Sequence, residues 1–104
     1  MKTYIKKREE KETNDALIQA YFVAKLLDHG ITGKKDAYGN IKYVDPKNGN
    51  DYRYHIKNRV VTKEVQAIHE ATQYSPSSKS WVRLKSFSYK DLVAVAKTYF
   101  DSKG

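Results

Sequence analysis

At 104 residues the chain has the length of one domain, enough to bury a real core without cross-links. It contains no cysteine, which excludes disulfides and thiolate metal sites and fits a reducing, cytoplasmic setting. Its 20 Lys and Arg against 12 Asp and Glu give a formal net charge of +8, a balance that favours polyanionic partners, nucleic acid first among them.

Residues 1–12, MKTYIKKREEKE, are dense in charges of both signs. They read as a charged N-terminal arm, or as the solvated first turns of a helix, ahead of a single α+β domain over 13–104. No apolar stretch follows those charges, so a secretory signal is not expected. Thr13 or Asn14 offers an N-cap, with Asp15 in the first turn. A helix is predicted from there through 29. Its apolar residues nearly encircle it, Leu17, Ala20, Ala24 and Leu27 on one side and Ile18, Phe22 and Leu26 on another. A helix of that kind is central to a core or pairs with another chain. Gly30 stands where a C′ glycine ends such a helix. The run is too short and too polar to span a bilayer, so no membrane partner is expected.

A connector over 31–39 leads to a hairpin: a strand at 40–44, the turn DPKNGN, then DYRYHIKNRVV as the return strand. Alternation puts Tyr52, Tyr54 and Ile56 on one face and Arg53, His55, Lys57 and Arg59 on the other. TKEVQAIHEATQY carries Val65, Ile68, Ala71 and Thr72 at helical spacing, which predicts a middle helix over 62–74, although VVTKEV would also prolong the strand. After the loop SPSSKS, residues 81–87 alternate again, with Trp81, Arg83, Lys85 and Phe87 on one face. Ser88 and Asp91 form a capping-box-like start to a C-terminal amphipathic helix that buries Leu92, Val95, Ala96, Tyr99 and Phe100. The expected fold is therefore α+β, a small antiparallel sheet of about three strands with two or three helices.

Charge is uneven along this order. Residues 34–60 hold seven basic and three acidic side chains, and 79–104 hold six and two, whereas 13–33 and 61–78 are each net negative. If the strands share one sheet, a single face gathers Lys42, Arg53, His55, Lys57, Arg59, Trp81, Arg83 and Lys85. Cations release counterions from phosphates, and exposed aromatics, here Trp81 with Tyr54 as a second candidate, offer stacking platforms to unpaired bases. With 16 Lys to 4 Arg, diffuse phosphate contact is expected rather than bidentate base reading.

The histidines, His29, His55 and His69, lack metal-ligand spacing, and the sequence has neither a P-loop nor a dinucleotide fingerprint. No cofactor or metal is expected. Asp45 and Asp51 suit turn chemistry better than a metal centre. The leading expectation is a basic nucleic-acid-binding protein without catalysis, DNA and RNA being undistinguished. A protein-interaction module or inhibitor, homodimeric through helix 13–29, is the alternative, favoured by nine tyrosines, a residue enriched at interfaces. A metal-independent ribonuclease built on His55 ranks third.

Overall fold

The computed structural model describes residues 2–103, with side chains from Lys11 onward; Met1 and Gly104, at the outer ends of the expected arm and domain, lie outside the described residues. Two helices, α1 (Lys2–Asp28) and α2 (Tyr89–Lys103), bracket five strands: β1 (Lys34–Lys35), β2 (Ile41–Val44), β3 (Asp51–Lys57), β4 (Val60–His69) and β5 (Ser78–Phe87). The strands form one antiparallel sheet in the order β1-β2-β3-β4-β5. The α+β class stands as expected, with five strands in place of about three.

Helix α1 is continuous from Lys2, so Thr13 and Asn14 lie inside it rather than capping it. Lys, Arg and Glu are good helix formers, and the charged residues 2–12 extend the helix as its first turns. It ends as a Schellman motif: Ile31 N donates to Leu26 O at 2.8 Å and Gly30 N to Leu27 O at 2.9 Å, with Gly30 at φ 74°. Of its two apolar stripes, packing selects Ile18, Phe22 and Leu26, spaced four apart. These meet Ile41, Tyr43, Ile56, Val61 and Leu92 in the core. The Phe22 ring stacks on Tyr54 at 3.8 Å. Gly33 sits so close to Leu26 and Ile41 that a Cβ there would approach them to 2.8 and 3.0 Å.

Helix α2 starts at the Ser88 cap, whose Oγ accepts from Asp91 N at 3.4 Å. It packs on α1 and is pinned at both ends. Tyr89 donates its hydroxyl hydrogen to Asp15, and Tyr99 Oη donates to Asp28 Oδ2 at 2.7 Å. Leu92 and Ala96 are buried as expected, but Val95 is 46% exposed, because the helix turns only one narrow stripe toward α1.

The expected middle helix over 62–74 does not form; Val60–His69 is β4, paired along its length with β3 and β5. The turn decides this. Asn58 and Arg59 both take positive φ, 51° and 60°, the backbone of a two-residue hairpin turn that returns the chain antiparallel to β3. The β-branched residues Val60, Val61, Thr62 and Val65 then suit a pleated strand, and the helical spacing of Val65, Ile68 and Ala71 is coincidental. Beyond the helices the β4–β5 hairpin runs on as an arm, with Ile68 66% and Tyr74 89% exposed. The radius of gyration is accordingly 16.4 Å, where a compact chain of this length would give about 13 Å. No helix among the described residues is long and apolar enough to cross a membrane.

Candidate functional site

The strand register sorts side chains onto two faces. One carries Ile41, Tyr43, Tyr54, Ile56, Val61 and Phe87 and is covered by the helices. The other has no helix on it. Across that open face the register lines up Lys34, Lys42, Arg53, Glu64 and Arg83, one residue from each strand. At a strand spacing of about 4.8 Å the row runs roughly 19 Å. It contains four cations and one carboxylate.

A bulge in β5 shapes this row. Lys63 pairs with Lys85, but the next residue of β4, Glu64, pairs with Arg83, so Leu84 is an inserted residue. Without the insertion Glu64 would face Leu84 and Val65 would face Arg83. With it, Glu64 meets Arg83 and Val65 meets Val82, matching charge with charge and apolar with apolar. The expectation that Trp81, Arg83, Lys85 and Phe87 share one face is thereby corrected. Trp81 and Arg83 are on the open face, whereas Lys85 and Phe87 turn to the helix side, where the Lys85 ammonium lies 5.1 Å from the Phe87 ring.

Other expected residues also find defined places. Lys42 is half exposed and 3.6 Å from Asp36 Oδ2. Lys57 ends β3, exposed on the open face. Arg59 is in the hairpin turn rather than on the face. Tyr54 belongs to the core stack with Phe22 and is withdrawn as a stacking platform. Arg53 is the most constrained cation. Its Nε donates to Glu64 Oε1 at 2.6 Å, and its guanidinium lies 4.4 Å over the Trp81 ring. Glu64 also accepts from the Thr62 hydroxyl at 3.0 Å. Burial pushes the Glu64 carboxyl up, but the hydrogen bonds from Arg53 and Thr62 and the Arg53 charge outweigh it and hold it below the usual range. Arg53 thus orders the face and braces Trp81, leaving Lys34, Lys42, Lys57 and Arg83 among its outward cations.

His55 is held from behind by a chain of hydrogen bonds that the sequence did not announce. Asp36 accepts from the backbone of Tyr38 and Asn40 at 2.9 Å each and from Asn40 Nδ2 at 3.2 Å. Burial raises the Asp36 carboxyl and these bonds more than reverse it, so it lies below the ordinary value. Asn40, itself buried, accepts at Oδ1 from Ile56 N at 3.2 Å and contacts His55 Nδ1 at 2.9 Å. Because a backbone N–H can only donate, that Asn40 atom is an acceptor, and His55 Nδ1 must carry a hydrogen. Neutral His55 therefore keeps its lone pair on Nε2. The ring lines a cleft of about 330 Å³ with Lys57, Asn58, Val60, Thr62, Glu64 and Arg83.

Sequence reasoning missed Lys34, Asn40, Thr62 and Glu64. Lys34 is in a two-residue strand too short to show alternation, and Thr62 and Glu64 fall within the expected middle helix. Asn40 carried one signal, a polar residue at the entry to a buried strand. Among the described residues no group of three or more His, Cys, Asp or Glu is placed to hold a metal. No protein-family model, curated protein or solved structure matches the chain.

Proposed function

We propose that the protein binds a nucleic-acid strand across the open face of its sheet. The observation that carries this reading is the register row of Lys34, Lys42, Arg53 and Arg83 on the face without helices. Lys34, Lys42, Lys57 and Arg83 contact phosphates, while the braced Arg53–Trp81 pair offers a base a planar neighbour. A lysine-rich surface suits backbone contact more than base-edge reading.

Binding of labelled single- and double-stranded DNA and RNA across a salt series tests this. Affinity should fall steeply with salt. Replacing Lys42, Lys57 and Arg83 together with alanine should reduce the log–log salt slope by about 2, at roughly 0.7 per lost single-strand contact. The melting temperature should change little, because these side chains point to solvent. No binding at low salt would end the proposal, and an unchanged slope in the triple variant would move the site elsewhere. A second reading, self-association through α1, has one observation in its favour: Leu27, on the stripe the core does not use, is 58% exposed. A monomer mass in solution would remove it.

A further inference from the structure

We infer that the His55 cleft on this open face is a site of RNA cleavage, with His55 Nε2 as the base that activates a ribose 2′-hydroxyl. The inference rests on the nucleic-acid reading above and adds a reaction and a substrate class to it.

Three features of the cleft point the same way. First, the Asp36–Asn40–His55 chain fixes the imidazole by one nitrogen. The tautomer leaves Nε2 as a lone-pair atom, and no hydrogen bond engages it among the described residues. A base needs that orientation from a third group. Second, Lys57 and Arg83 border the same cleft, and cations there would face the charge that develops on a phosphoryl group under attack. Third, Thr62, the cross-strand neighbour of His55 on the same face, is buried. Its hydroxyl donates to Glu64, so the floor of the cleft is already satisfied and the polar groups left for a ligand are at its rim.

The step balances with water as its only co-reactant. His55 Nε2 takes the proton of the 2′-hydroxyl, and the 2′-oxygen forms a bond to the adjacent phosphorus. The bond from phosphorus to the 5′-oxygen breaks, its electron pair leaves on that oxygen, and solvent water protonates it. The hydroxide so formed recovers the proton from His55. The products are a 2′,3′-cyclic phosphate and a 5′-hydroxyl end. Glu64 is not the acid, since its carboxylate is committed to Arg53 and Thr62. DNA lacks the 2′-hydroxyl and is not a substrate.

The test uses the full chain, a 5′-labelled single-stranded RNA, and the same sequence 2′-O-methylated throughout, all in EDTA. Wild type should cut the RNA to fragments ending in 2′,3′-cyclic phosphate and bind the methylated strand without cutting it. His55→Asn keeps an N–H able to reach Asn40 Oδ1 but has no basic nitrogen. Purified identically, it should cleave at least about 100-fold more slowly with its melting temperature within a few degrees of wild type. Binding of the methylated strand with the RNA left intact would overturn the cleavage inference while the interface reading survives. Equal cleavage by His55→Asn, or cleavage seen only when EDTA is replaced by a divalent cation in a parallel reaction, would also overturn it. Absence of both binding and cleavage would remove the two readings together.

Discussion

The two faces of the sheet are built from the same strands and differ in almost every physical respect. The helix side stacks aromatic rings, Phe22 on Tyr54 and Tyr43 beside Tyr52. The open side carries a row of cations with a single carboxylate in it. Strand alternation creates the difference, since neighbours in sequence point to opposite sides. Two local devices then adjust it. The Asn58–Arg59 turn sets which β4 residues face which way, and a one-residue slip would exchange the faces entirely. The Leu84 bulge exchanges them for part of β5 alone. Each strand position belongs to one face or the other, so under the proposed reading core substitutions should act on stability and open-face cations on binding.

The largest break in that comparison is expected from the covered side. Ile41 is fully buried between α1 and the sheet, and Ile41→Ala should destabilise the fold by about 3 kcal/mol. That corresponds to a fall in melting temperature of more than about 10 °C for a domain of this size. Chemical denaturation measures the loss. At temperatures where the variant is still folded, its nucleic-acid affinity and salt slope should match wild type. An affinity loss in the folded variant would show that the faces are not independent.

Much of the covered face was legible in the sequence. The Asn-Gly turn, the alternation of β2 and β3, the C′ glycine and the Ser88 cap each involve residues whose chemistry is local. The open face was less so, for reasons that are also physical. Arg53 and Glu64 attract each other only after β4 is known to be a strand, and the β4 sequence also fits a helical stripe. The Asn58–Arg59 turn lacks the glycine that normally announces such a reversal, and Arg59 takes a left-handed conformation that the strand pairing must hold in place. Nothing within WVRLKSF marks Leu84 as an insertion. Only the pairing of Glu64 with Arg83 and Val65 with Val82 makes the bulge the better register.

The bulge supplies a sharper and smaller test. Arg83 and Lys85 are two residues apart on one strand, and simple alternation would give them equal roles. The register instead puts Arg83 on the open face and Lys85 on the helix side. Arg83→Ala should lower the single-strand salt slope by about 0.7, and Lys85→Ala should leave it unchanged although the net charge falls equally. Parallel titrations at several salt concentrations would separate the two. Equal effects would mean that overall charge rather than the face governs binding.

The smallest expected effect concerns Glu64, the one carboxylate in the row. Its carboxyl is held below the usual glutamate value of about 4.5, so the folded state favours the ionised form and gains stability from it. That contribution is complete above the usual value and is lost as pH falls through the lower folded value, when the carboxylate protonates and releases Arg53. Binding should respond with the opposite sign. Protonation removes the one carboxylate that the register puts in the row and frees the Arg53 guanidinium, so affinity for a polyanion rises in the same acid window in which stability falls. Glu64→Gln isolates the effect from the other carboxylates. It should bind more tightly than wild type at neutral pH, and its advantage should shrink as pH drops below about 4.5. An advantage that persists at acid pH would mean that the substitution acts through packing around Trp81, and that the charge of Glu64 does not restrain the row.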